Sequence, residues 1–206
     1  MRHTTKGVFV RLIVIMLVLD TFAFSFSKAD VLTETELVRA LTDKKTRNFS
    51  SSPTENSKAE EEKRFIESLM NGVSRRISMD ERGKIIEIAK EKPAIDIDIP
   101  FEYKSAVIGV TAIPSLISLG KALQSVDLKT SKFLIAGHTD AYGGEQYNLD
   151  LSVRRAGAVR DFLIKEFGVE GLRLLEVGYG KEKPKNIADP FSAENRRVQI
   201  VNLTAN

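Results

Sequence analysis

The sequence of 206 residues has no cysteine, no tryptophan and only two histidines. Without cysteine there is no disulfide framework, no thiolate metal site and no thiol to carry a lipid at a mature N-terminus. Without tryptophan, and with four tyrosines and 11 phenylalanines, a large carbohydrate-stacking platform is not expected, and a cleft of polar contacts is. A hydrolase would have to use His138 as base, since His3 lies in the leader, with Ser152 or Thr139 as nucleophile. One histidine at a strand end, with no third group to orient it and no further ligands at metal-binding spacing, reads instead as a structural hydrogen-bonding residue. No catalysis, cofactor or metal is expected.

The formal net charge of +3 is also an incomplete guide, because its location matters. Arg2, Lys6, Arg11 and Lys28 lie in the first 29 residues, against Asp20 alone. Taking four from 31 basic and one from 28 acidic residues leaves 27 of each, so no phosphate-binding surface and no nucleic-acid partner is expected. That leader has a basic start, the apolar run Leu12–Leu19 and small residues at Ser27 and Ala29, the pattern of a signal peptide over 1–29. The competing reading is an uncleaved anchor over 7–26, which would have to bury Arg11 or Asp20.

After the leader, Thr33-Glu34-Thr35-Glu36 matches a capping box, with Leu37 and Leu41 on one face of a short helix read as a frayed leader. Residues 30–58 are expected to be a flexible leader and linker, ending in the polar stretch Asn48–Lys58 around Pro53. Over 59–93 a helical hairpin is expected to pack on the next domain. Its first helix carries the stripe Phe65, Leu69, Val73 and Ile77, and its second starts at the capping box Ser78–Glu81 and uses Ile85, Ile86 and Ala89.

The alternation from Ile95 to Tyr103 predicts a nine-residue half-buried strand, placed at a sheet edge because Pro100 has no N–H to give. Thr111 is the expected cap of a helix with Pro114 in its first turn and Leu116, Leu119 and Leu123 on its core face. A strand over 132–138, a helix over about 152–167 ending at Gly168, and strands over 172–178 and 197–203 complete the chain. Strands joined by single helices imply an α/β two-layer fold with helices on a small mixed sheet.

The central stretch is FLIAGHTDAYGGEQYNLDLSVRRAGA, Phe133 to Ala158. Asp140 ends a strand and Arg155 lies fifteen positions on, so a chain reversal can bring a carboxylate and a guanidinium to one rim. Such a pair suits a zwitterionic amino acid. The plainer alternatives are that the two bridge each other, or that Asp140 caps the following turn.

GHTDAYGGEQYNLDLSVRRAGAVRDFL, then VGYGKEKP, then ENRRVQI resemble the OmpA-like peptidoglycan-binding domain, over about Ile95 to Leu203. The resemblance implies a βαβαββ domain over 94–206, without the β-barrel half of an OmpA-type protein. It implies that Asp140 and Arg155 hold the diaminopimelate residue of a peptidoglycan stem peptide, with Thr139, Asn148, Leu151 and Arg196 around them. For Asn148 and Leu151 the plain roles are turn stabilisation and core filling, and for Arg196 and Arg197 ion pairs with helix acids. Glu102 stands where the family's first-strand Phe-Asp motif has an Asp. The implied protein binds peptidoglycan without catalysis and links the cell envelope to the wall, from the periplasm beside wall and outer membrane. The N-terminal helices are the candidate surface for an envelope-protein partner. The alternative is a stator-like tether held in the inner membrane by an uncleaved 7–26.

Overall fold

The computed structural model describes residues 31–42, 53–71, 77–101 and 104–205. The expected signal peptide, Val73 and Glu102 lie outside the described residues. None of the described helices is long and apolar enough to cross a membrane.

Four strands form one mixed sheet in the order β1-β4-β2-β3: β1 Ala94–Ile97, β2 Phe133–Gly137, β3 Leu174–Gly178 and β4 Val198–Asn202. β4 runs antiparallel to both β1 and β2, and β2 pairs in parallel with β3. The helices are α1 Glu34–Thr42, α2 Pro53–Met70, α3 Met79–Lys90, α4 Ile113–Gln124 and α5 Glu145–Phe167. From β1 onward the order is the expected βαβαββ, in a mixed α/β fold.

Apolar residues alternate between the two faces of β2. Phe133 and Ile135 join Val198, Ile200 and Leu174 in a core closed by Leu116, Leu119 and Leu123 of α4 and by Ala156, Val159 and Leu163 of α5. Leu134 and Ala136 point the other way, with Leu175, Val177 and Val201, and meet Ile66, Leu69 and Met70 of α2 and Ile85 and Ile88 of α3. The helical pair therefore packs on the domain and adds a layer on the second face of the sheet. The capping box at Ser78 is formed: its hydroxyl accepts the Glu81 N–H at 3.3 Å while the Glu81 carboxylate accepts the Ser78 N–H at 2.9 Å.

The leader and linker expectation is corrected at both ends. Leu37 and Leu41 are buried at 1% and 0% exposure in the first core, and Asn202 Nδ2 of β4 donates to the Leu41 carbonyl at 3.0 Å. A two-turn helix is marginal alone, but burying two leucines contributes about 3–5 kcal/mol and holds it. Helix α2 begins at Pro53, so 53–58 is helical. Proline at a helix start gives up an N–H that had no partner there, and its fixed φ suits the first turn.

Three further bounds moved. Strand β1 stops at Ile97; beyond it the Pro100 carbonyl accepts the Gly109 N–H at 2.9 Å and Phe101 bridges Ile108, so the chain folds over the sheet end. Strand β1 is nonetheless the edge strand expected from Pro100. Thr111 lies inside a 3₁₀ turn, Val110–Ala112, and α4 starts behind it with Pro114 in its first turn. Helix α5 begins at Glu145, behind Gly143 at φ +91° and an extended Gly144, rather than near Ser152. It ends as expected at Gly168, left-handed at φ +63°.

Two glycines set how close α5 lies to the sheet. A Cβ at Gly137 would run into the Ser152 carbonyl, and one at Gly178 into the Ser152 hydroxyl and Val153. At the opposite end of the sheet Arg173, buried at 7% exposure, donates to the carbonyls of Leu123, Leu128 and Ser131 at 2.8–3.0 Å. It thereby satisfies carbonyls at and beyond the C-terminus of α4, where a cation is favoured.

Candidate functional site

The antiparallel register of β2 and β4 builds one side of the site. Gly137 pairs with Val198, and the His138 N–H donates to the Arg197 carbonyl at 3.0 Å. Two residues on, Asp140 therefore meets Arg196: its Oδ2 accepts from Nη1 at 2.9 Å. The other oxygen, Oδ1, accepts the Tyr142 N–H at 3.2 Å, so Asp140 also closes its own turn. Backbone bonds from Thr139 N–H to the Gly180 carbonyl and from Ala141 N–H to the Pro190 carbonyl tie this segment down.

Arg155 reaches the same rim from α5, one turn beyond the Ser152 that lies against Gly137. It is buried at 6% exposure, its Nε donates to the Ser105 carbonyl at 3.1 Å, and its guanidinium lies 4.7 Å from the Phe101 ring centre. A cation over an aromatic face is held by the ring quadrupole. Burial lowers the Arg155 pKa, with Arg196 and Arg154 pushing the same way and Asp140 and Tyr147 partly restoring it. Among the described residues no carboxylate stands within ion-pair distance of Arg155. Of the two plainer alternatives, the direct bridge between Asp140 and Arg155 is absent, because Asp140 is taken by Arg196, whereas the turn cap is present in the bond from the Tyr142 N–H.

Arg155 and Arg196 line a cleft of about 460 Å³ with Phe101, Asp98, Asp96, Lys185, Glu194 and Arg197. Asp96 anchors its wall, accepting from Arg197 Nε at 3.1 Å, Gln199 Nε2 at 3.2 Å and Lys185 Nζ at 3.1 Å. Burial pushes the Asp96 carboxyl up, but Lys185 and Arg197 outweigh it and leave its pKa below the ordinary value. Arg196 and Arg197 thus pair with Asp140, in the loop after β2, and with Asp96 of β1, rather than with the helix acids of the plainer alternative.

A family model described as OmpA family matches residues 100–197. This chain carries an OmpA family domain. The chain is 35% identical over 104 residues to outer membrane porin F of Pseudomonas aeruginosa, covering 50% of this chain and 29% of that protein. It is 46% identical over 69 residues to the peptidoglycan-associated lipoprotein of Rhizobium meliloti, covering 32% of this chain and 39% of that one. The crystal structure of the peptidoglycan-associated lipoprotein from Burkholderia pseudomallei is 31% identical and aligns with 50% of this chain and 86% of that chain, at a TM-score of 0.45. The matches cover only 29% to 42% of the first three curated relatives.

Within the OmpA domain the other expected site residues take supporting places. Asn148, buried at 2% exposure, donates from Nδ2 to the Tyr142 carbonyl at 2.8 Å and so clamps the turn after Asp140. The Thr139 hydroxyl is buried without a hydrogen-bond partner, and Leu151 is buried on α5. None of these three, nor Asp140 itself, lines the 460 Å³ cleft. Ser152, expected at the start of a helix, lies within α5, which begins seven residues earlier at Glu145. A larger groove of about 750 Å³ runs between α5, β3 and the α2–α3 pair, and no expected site residue lines it.

His138 of the OmpA domain also departs from expectation. It is buried at 2% exposure and neither ring nitrogen is hydrogen bonded; the Lys183 backbone approaches without closing a bond of good geometry. Its ring meets Tyr179 edge-on at 5.3 Å, and the Tyr179 hydroxyl is equally unpartnered. Burial, reinforced by Arg197, pushes the His138 pKa down to about 3, and burial pushes that of Tyr179 up. Ser152, the nucleophile a hydrolase would need, donates to the Leu149 carbonyl at 2.7 Å and accepts the Gly180 N–H at 2.9 Å.

The sequence reading missed Phe101 as the platform for Arg155, and the Ser105 carbonyl that orients it. The signal for the first was present in the apolar residue opening the Phe-Glu dipeptide. A backbone carbonyl leaves no mark on composition or spacing.

Proposed function

We propose that this chain is a non-catalytic, exported module that binds peptidoglycan and links the cell envelope to the wall, gripping the diaminopimelate residue of the stem peptide. The observation that carries the reading is Arg155: a buried guanidinium, fixed through Nε and by Phe101, with no ion-pair partner among the described residues. Burying a cation without an anion is costly, and an incoming carboxylate removes that cost through two parallel hydrogen bonds. Diaminopimelate with a free end carries such a carboxylate beside an ammonium, and Asp140, held by Arg196 two residues before β4, is the partner for the ammonium. The relatives named peptidoglycan-associated lipoprotein support the wall as target. Thr139, Asn148 and Leu151 act in this reading by holding the turn and α5 around Asp140, and Arg196 by orienting the carboxylate.

The test uses Arg155→Met, which keeps the stem over Phe101, Arg155→Lys and Asp140→Ala. Each should lose most binding to diaminopimelate-type sacculi, a cost of about 2–5 kcal/mol, because the charge on the ligand is left unpaired. Arg155→Lys fails because an ammonium lacks the planar fork. Binding by Arg155→Lys at wild-type affinity, or a pull-down of wild type no better than by a denatured control, defeats the proposal.

A further inference from the structure

Two aromatic rings stand in water beside the proposed site. Tyr142 is 66% and Phe191 49% exposed, and their ring centres lie 4.7 Å apart at an interplanar angle of 58°. Both come from the two chain segments that supply the Asp140–Arg196 ion pair: Tyr142 follows Asp140 by two residues and Phe191 precedes Arg196 by five. The backbones under the rings are pinned. The Tyr142 N–H is held by Asp140 and its carbonyl by Asn148, and the Ala141 N–H donates to the Pro190 carbonyl. The Phe191 N–H donates to Asp189 Oδ1 at 3.1 Å. Asn195, fully buried, donates to the carbonyls of Asp189 and Pro190 and accepts the N–H groups of Lys185 and Asn186. An aromatic pair held this way gains no core burial and loses little entropy when a ligand covers it.

We propose that Tyr142 and Phe191 form a saccharide subsite that takes the apolar C–H face of an amino sugar in the glycan strand carrying the bound stem peptide. The inference rests on the peptidoglycan reading above and extends it from peptide to glycan. Two stem-peptide residues separate diaminopimelate from the sugar, which places the sugar about 10 Å from the ion pair when the peptide is extended. Tyr142 lies two residues from Asp140, at most about 7 Å along the chain and so inside that reach. The negative faces of the rings attract the polarised C–H groups of a pyranose, while the Tyr142 hydroxyl meets its hydroxyl edge. Two rings in contact and tilted by 58° present a small angled apolar surface, flanked in sequence by Ala141, Gly143, Asp189 and Ser192, and an amphipathic ring suits it better than a broad apolar protein surface does.

The experiment compares titration calorimetry of a disaccharide–stem-peptide fragment with that of the same stem peptide without sugars, for wild type, Tyr142→Ala, Phe191→Ala and the double variant. Wild type should bind the disaccharide form about tenfold more tightly, and the double variant should lose that advantage while its affinity for the sugar-free peptide changes less than about twofold. Both positions are exposed, so melting temperatures should stay within about 2 °C of wild type. Equal wild-type affinity for the two ligands, or an equal loss for both in the double variant, overturns the saccharide subsite and leaves the peptide reading standing. A retained sugar advantage in the double variant overturns it as well and returns the ring pair to other partners, proteins included. Failure of wild type to bind either ligand overturns the diaminopimelate reading itself.

Discussion

Replacing His138 by Phe should flatten the acid side of this protein's stability profile. In the folded chain His138 is 2% exposed, with its pKa down to about 3 through burial and the Arg197 charge, partly offset by Asp96. In the unfolded chain it titrates near its ordinary value of about 6.5. Above that value both states are neutral at this ring and nothing is gained or lost. Below it the unfolded state takes up a proton that the folded state refuses, so stability falls by about 1.4 kcal/mol per pH unit until the folded pKa is reached. Between pH 7 and pH 4 the loss assigned to this ring is about 3 kcal/mol, or about 10 °C in melting temperature for a domain of this size. Asp96, whose folded pKa is lowered, loses stability in the same direction as its carboxylate protonates, so the test must be a difference between variants. Urea denaturation of wild type and His138→Phe at pH 7 and pH 4 provides it. At pH 7 the two should agree within about 1 kcal/mol, since Phe fills similar volume and needs no hydrogen bond. At pH 4 the variant should be the more stable by about 3 kcal/mol. Parallel profiles, with both proteins losing the same stability over that interval, would show that His138 is reached by solvent or takes a proton in the folded state.

Arg173→Met should cost about 3–5 kcal/mol in urea denaturation, because the carbonyls of Leu123 and Ser131 lose the guanidinium and that of Leu128 keeps only the Ser131 N–H; a cost under about 1 kcal/mol would mean that water replaces the guanidinium there. Gly137→Ala should cost more than about 3 kcal/mol or prevent folding, since its methyl has only the Ser152 backbone to enter. Gly157→Ala in α5, with nothing within 4 Å, should be neutral or stabilising by up to about 1 kcal/mol, and circular dichroism melts of the pair that coincide would refute the close approach of α5. Leu41→Ala should destabilise by about 2–5 kcal/mol, and an unchanged melt would show that α1 does not belong to the core.

Much of the fold was legible because period and punctuation agreed from Leu116 onward: the leucines of α4, the run in β2 and Gly168 each had one reading. Strand β2 carried a further sign. Phe-Leu-Ile-Ala has no polar alternation, which is what a strand covered on both faces requires, and the α2–α3 pair supplies the second cover. The stretch from Pro53 to Lys58 misled because its polarity suits a linker as well as a helix start, and Pro53 is a breaker inside a helix but welcome at its start. The start of α5 was hidden in the same way by Gly143 and Gly144. At the site, the order of motifs pointed to Asp140, Arg155 and Arg196, but which arginine pairs with Asp140 depends on the β2–β4 register, which joins positions 56 apart. The Tyr142–Phe191 contact was out of reach for the same reason: both residues lie in loops, where no periodicity announces a partner.

The slot made by Gly137 and Gly178 bears on how such a site changes over time. With the backbone of α5 seated against the sheet at Ser152, the Cα of Arg155 is placed by main-chain contact rather than by the fit of interchangeable side chains. Substitutions along the buried face of α5 then alter how long the fold survives but leave the guanidinium where it is. New preferences for ligands are then expected in cleft side chains that α5 does not carry, such as Asp98, Lys185 and Glu194, so one part of the chain keeps the anchor while another can diverge.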